Sequence, residues 1–85
     1  MQTQAKTQAK VLMFSTPTCH FCKVAKRYFK EQNIRFRDID VSRNPSAAAD
    51  MQKRTGQMGV PVIMINNRPI VGFDKIKINK LLGLK

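Results

Sequence analysis

The chain has no tryptophan, only two cysteines, and five carboxylate side chains against sixteen lysines and arginines in its 85 residues. Each scarcity excludes something. Two cysteines cannot build the multi-bridge scaffold that holds small secreted proteins, so this chain must rely on a packed core. The longest apolar stretches, Val11 to Phe14 and Val60 to Ile65, fall far short of the roughly 18 residues that a membrane span needs. The opening MQTQAKTQAK lacks the apolar segment and small-residue cleavage pattern of a secretory signal, so a cytoplasmic location is expected. What is present fits one small globular domain: hydrophobic residues make up 42% and charged residues 25%, too apolar for wholesale disorder. A chain this short buries only about 60% of its unfolded surface, which leaves room for a single core and no second domain.

The net charge of +11 invites a nucleic-acid reading, because dense Lys and Arg displace the counterions condensed on phosphate. The distribution argues against it. Basic residues run from Lys6 to Lys85 without a block of five, and the five phenylalanines and one tyrosine fall mostly at positions that periodicity assigns to the core. No specific nucleic acid and no membrane is expected as a partner. The surplus predicts a solvated basic surface that favours acidic partners.

Residues 3–6 and 7–10 repeat the tetrapeptide TQAK, which has no apolar face to bury, so residues 1–10 read as a flexible polar tail and 11–85 as the domain. The short apolar run 11–15 predicts a buried strand. Phe21, Val24, Ala25, Tyr28 and Phe29 recur at helical spacing with Lys23, Lys26, Arg27 and Lys30 opposite, which predicts a helix from about Cys19 to Gln32. A second strand is expected over 34–41, where the alternation of Ile34 and Phe36 changes phase at Ile39 and Val41, suggesting a bulge or a strand end. Asn44-Pro45 reads as a cap and first position, and Gly56 as a left-handed terminator, of a second helix over 45–55. Val62–Ile65 and Ile70–Val71 flank the turn residues Asn66-Asn67-Arg68-Pro69 and predict a hairpin. Asp74 would cap a last helix carrying Ile78, Leu81 and Leu82 inward. The order β-α-β-α-β-β-α predicts a four-stranded mixed sheet flanked by three helices.

Cys19-His20-Phe21-Cys22 stands where the first strand gives way, through Ser15-Thr16-Pro17, to the first helix. A sulfur at a helix start faces unpaired backbone N–H groups and the positive end of the helix dipole, and thiols so placed lose their protons readily. Lys23 and Lys26 add positive charge, and His20 would add more as an imidazolium, so His20 and Lys23 are candidate tuning residues. Cys19, at the exposed edge, is the expected nucleophile; Cys22 is the expected resolving thiol, because exchange runs through a mixed disulfide. The same spacing also forms half of a zinc site, but a structural site wants four ligands and the chain offers only two cysteines and His20, so no metal is assigned.

Three segments in collinear order carry a resemblance: Ser15-Thr16-Pro17-Thr18-Cys19-His20-Phe21-Cys22-Lys23, then Gly59-Val60-Pro61-Val62, then Val71-Gly72-Phe73-Asp74. Over about residues 11–82 the chain resembles the glutaredoxins of the thioredoxin superfamily, particularly the small glutaredoxin-like proteins of the YruB type. The resemblance implies the thioredoxin fold, a redox-active dithiol at Cys19 and Cys22, and a cis Val60–Pro61 bond facing them. It implies that Val60 offers its backbone to an extended substrate, and that Gly72, Phe73 and Asp74 turn backbone N–H groups toward a carboxylate of glutathione. Thiol-disulfide oxidoreductase activity on protein or glutathione mixed disulfides follows, with glutathione as co-substrate and no tightly bound cofactor. Glutaredoxins usually carry a lysine three positions before the first cysteine, where this chain has Thr16, and Gly72-Phe73 is also similar to the NrdH-type redoxins. The implied electron source is therefore glutathione or thioredoxin reductase, and an iron-sulfur carrier using Cys19 remains as an alternative.

Overall fold

The computed structural model describes residues 9–84, so most of the expected tail, residues 1–8, lies outside the described residues. Its last two residues are tied to the domain. Ala9 packs against the core, the Lys10 amide donates to Asn66 Oδ1 at 2.9 Å, and the Lys10 carbonyl accepts from the Asn66 amide at 2.9 Å.

Seven elements follow in order: β1 (Val11–Ser15), α1 (His20–Glu31), β2 (Arg37–Asp40), α2 (Pro45–Thr55), β3 (Val62–Ile65), β4 (Arg68–Val71) and α3 (Lys75–Leu82). The strands form one mixed sheet in the order β2-β1-β3-β4, with β1 and β2 parallel and the other two pairs antiparallel. This is the thioredoxin fold. Helices cover both faces, so the central strands β1 and β3 are buried on both sides and read as continuous apolar runs. On one face Val11, Met13, Ile63, Ile65 and Ile70 pack with Ala25, Phe29 and Ile78 of α1 and α3. On the other, Phe14, Val62 and Met64 pack with Met51 of α2.

Of the two alternatives for β2, a bulge or a strand end, the strand end holds, falling between Phe36 and Arg37. Its register with β1 is unbroken from Leu12–Arg37 to Ser15–Asp40, so there is no bulge. Ile34 and Phe36 pack on the α1 face, whereas Ile39 and Val41 pack on the α2 face. The change of phase marks a change of face. Pairing begins only at Arg37, and Phe36 just before it packs against Phe29, their ring centroids 5.3 Å apart. The hairpin turn is tighter than expected. Asn66 and Asn67, at φ 51° and 69°, make it alone, and Arg68 and Pro69 already belong to β4. Asparagine accepts the left-handed region that such two-residue turns demand, and an edge strand tolerates a proline.

The caps are as the sequence suggests. Asn44 Oδ1 accepts from the Ala47 amide at 3.1 Å with Pro45 at the first position, Gly56 ends α2 at φ 74°, and Asp74 Oδ1 accepts from the Lys77 amide at 3.2 Å. α1 begins one residue later than expected, with Cys19 itself as its cap.

Candidate functional site

The sheet register brings the three motif segments to one end of the molecule. β1 ends where β3 begins, Phe14 facing Val62, and Val62 faces Val71 at the end of β4. The loop after β1 holds Cys19, the residues before β3 are Val60 and Pro61, and the residues after β4 are Gly72, Phe73 and Asp74. The Gly72 amide donates to the Pro61 carbonyl at 2.8 Å, locking the second segment to the third. The Val60–Pro61 bond is cis. Pro61 is buried, while Val60 is half-buried and its backbone N–H and C=O have no hydrogen-bond partner among the described residues.

The two cysteines, both free thiols, differ sharply in setting. Cys19 is partly exposed and occupies the N-cap of α1, where its Sγ accepts the backbone N–H of Cys22 at 3.1 Å. One of the unpaired donors at the helix start thus points at this sulfur, an arrangement that stabilises negative charge on it. Cys22 lies on the inward face of α1, in line with Ala25 and Phe29, and is fully buried. Burial, reinforced by the thiol's hydrogen bond with Cys19, pushes the Cys22 thiol from the ordinary value of 9.0 up to about 12, against the opposing pull of the Thr16 backbone and the Lys26 charge.

This shift has a consequence for stability. A folded-state value above the unfolded one means that the unfolded chain gives up the proton first as pH rises, so stability held below pH 9 is lost between about pH 9 and 12. Urea midpoints should therefore fall more steeply with pH over 8.5 to 10.5 for the wild type than for Cys22→Ala. Parallel slopes would contradict the assignment.

Of the tuning candidates, His20 is exposed, its ring meets Phe21 edge-on with centroids 5.3 Å apart, and it makes no hydrogen bond to Cys19 among the described residues. Lys23 is exposed in the first turn of α1. Lys26 is committed elsewhere, to a cluster that periodicity did not reveal: Lys26 Nζ lies 2.6 Å from Asp38 Oδ2, and Asp38 Oδ1 accepts from the buried Ser15 hydroxyl at 2.5 Å. These charge-assisted bonds fasten α1 to β1 and β2 close to Cys22. Gln57 was also missed. Its side chain accepts from the Gly59 amide at 2.5 Å and donates to the Gly59 carbonyl at 3.1 Å, pinning the loop ahead of Val60. A Cβ at Gly59 would stand 2.7 Å from Gln57 Oε1, so a larger residue there would displace the Gln57 side chain from its present bonds.

Phe73 packs edge-on against Tyr28, centroids 5.7 Å apart, and the Tyr28 hydroxyl bonds to Asn79 Oδ1, so α3 and the segment before it are braced on α1. Among the described residues no three His, Cys, Asp or Glu side chains converge on a point that could hold a metal ion. No helix there is long and apolar enough to cross a membrane. A cavity of about 360 Å³, floored by Leu12 and Met64 and edged by Arg37 and Arg54, lies toward the opposite end of the sheet, and no candidate residue lines it.

Residues 11–70 match the family model described as Glutaredoxin. The chain is 43% identical over 72 residues to an uncharacterized glutaredoxin-like 8.6 kDa protein in the rubredoxin operon of Clostridium pasteurianum, covering 85% of this chain and 96% of that protein. It is 38% identical over 67 residues to a glutaredoxin of Neisseria meningitidis, covering 78% and 79%. The crystal structure of a glutaredoxin from Archaeoglobus fulgidus superposes with a TM-score of 0.77 at 21% identity, over 95% of each chain, a likeness of fold. With its cysteine pair at the cap of α1, its sheet order and this match over most of its length, the chain belongs to the glutaredoxin family.

Proposed function

We propose that the protein is a dithiol oxidoreductase that reduces protein or glutathione mixed disulfides in a reducing compartment such as the cytoplasm. The observation that carries this reading is the asymmetry of the pair: an accessible sulfur at a helix cap beside a buried thiol pushed up to about 12. The Cys19 thiolate attacks one sulfur of the substrate disulfide, and the other leaves as a thiolate that takes up a proton. Cys22 then gives up its proton as its sulfur attacks Cys19 Sγ, closing the Cys19–Cys22 disulfide and releasing the second substrate thiol. Two electrons from an external thiol or flavoenzyme restore the dithiol. Val60, with its free N–H and C=O, would pair with the backbone of the substrate as an added strand, and Gly72, Phe73 and Asp74 would receive a carboxylate at the start of α3. His20 and Lys23 would raise the local positive potential.

Glutathione is the preferred electron source, because an anionic tripeptide suits both the basic surface and the Val60 backbone. Thr16, where the family usually has lysine, favours a second reading as an NrdH-type redoxin fed by thioredoxin reductase. The oxidised protein should consume NADPH when supplied with glutathione and glutathione reductase, and more slowly at high salt, as attraction is screened. Efficient turnover by thioredoxin reductase alone, with no response to millimolar glutathione, would establish the second reading instead.

A further inference from the structure

Single exposed apolar side chains are ordinary, but their concentration in one place is not. Every large apolar residue that is exposed among the described residues belongs to a segment at the cysteine end of the sheet. Phe21 is in the first turn of α1 at 60% exposure, Met58 in the loop leading to Val60 at 54%, Val71 at the end of β4 at 56%, and Ile76 in the first turn of α3 at 80%. Met58 is held out rather than loosely tethered, since the Gln57 side chain clasps Gly59 on its far side. Val71 pairs with Val62, next to Pro61, Met58 precedes Val60 by two residues, and Phe21 lies between the cysteines in the first turn of α1.

The charge around these residues is predominantly positive, with Asp74 at the start of α3 against it. Lys23, Lys75 and Lys77 have no carboxylate partner among the described residues, the Lys75 ammonium lying instead over the Tyr28 ring at 5.0 Å. The chain cannot supply partners. Of its five carboxylates, Asp38, Asp40 and Asp50 are in ion pairs with other residues and Asp74 caps α3, leaving Glu31 at the far end of α1. Apart from Asp74, a complement to these lysines would come from an acidic partner.

Resting on the dithiol reading above, we infer that this surface takes an extended cysteine-bearing segment of an acidic protein, with apolar side chains next to the cysteine and carboxylates flanking them. Glutathione has no apolar side chain for Phe21, Met58 or Val71 to meet. An anionic membrane would satisfy the apolar and basic groups but not the backbone N–H and C=O of Val60, which an extended chain pairs with both at once. Methionine suits such a surface, because its flexible thioether adapts to different apolar partners.

The test uses short synthetic peptides whose single cysteine is a mixed disulfide with thionitrobenzoate, and it reads thionitrobenzoate release as kcat/KM. One peptide has leucines beside the cysteine and glutamates outside them, a second has lysines for the glutamates, and a third has serines for the leucines. Each rate is divided by that for the small uncharged hydroxyethyl disulfide. The first peptide should exceed the second by about ten-fold at low salt and about two-fold at high salt, and the third by about five-fold. The double variant Lys75→Glu, Lys77→Glu should reverse the charge preference, and Met58→Ser should erase most of the apolar one. Equal normalised rates for all three peptides, or turnover of glutathione disulfide as fast as the best peptide, would overturn the inference. So would absence of any peptide preference together with binding to phosphatidylglycerol vesicles that Phe21→Ser abolishes. The same ratios measured as affinities, with serine in place of the peptide's cysteine, need no chemistry. Failure to reduce hydroxyethyl disulfide would therefore count against the dithiol reading, while the affinity ratios alone decide this one.

Discussion

Replacing Cys19 with serine is expected to reduce disulfide turnover to the background of free thiol exchange, whereas Cys22→Ser is expected to form a mixed disulfide with its substrate and stall there. The asymmetry follows from placement. A serine hydroxyl at the α1 cap can still accept the Cys22 amide, so Cys19→Ser keeps the helix start while removing the sulfur that attacks. Cys22 sits on the buried face of α1, where a disulfide carried by another molecule cannot reach it, but where the Cys19 sulfur is a neighbour. Its thiol, held protonated up to about 12, is unsuited to a first attack on a free substrate and suited to a second one on an adjacent mixed disulfide. Mass spectrometry of Cys22→Ser after exposure to oxidised glutathione should find the adduct on Cys19. Alkylation of the native protein should label Cys19 well before Cys22, and the reverse order would sink the assignment of roles.

Features written in local chemistry were legible before the structure was. Asn44-Pro45 and Gly56 bracket α2 because capping depends on residues within one turn, and Asp74 caps α3 for the same reason. The cysteine pair was legible because a thiol's chemistry is carried in the residue, and its position at the start of α1 follows from the strand, turn and helix that flank it. What escaped depends on pairing between distant segments. Asp38 became a partner of Ser15 and Lys26 only through the register that sets β2 beside β1, and nothing in the run Arg37-Asp38-Ile39-Asp40 announces which carboxylate turns inward. Nothing in the sequence around Gln57 announces that its side chain closes on Gly59. The contact of the His20 ring with Phe21 was likewise not to be read from adjacency to Cys19.

The packing of the sheet on both faces predicts where the domain is most vulnerable. Phe29 is fully buried on the α1 face, touches the rings of Phe36 and Tyr28, and shares a cluster with Met13, Ile63 and Ile78. It therefore joins α1, the segment leading into β2, the two central strands and α3. Phe29→Ala should destabilise the protein by about 3–5 kcal/mol, since the removed ring leaves a cavity that surrounding strands cannot close. A domain of this size has only about 5–15 kcal/mol in total, so the loss is a large share of it. At a urea slope of about 1 kcal/mol/M the midpoint should fall by about 3 M or more. Ile76→Ala removes an apolar side chain that is 80% exposed, and its midpoint should stay within about 0.5 M of the wild type. Because α1 carries Cys19 at its cap, the folded fraction of Phe29→Ala should lose activity in step with unfolding and not before it. Comparable midpoints for the two variants would mean that the α1 face is not the core that positions the cysteine pair.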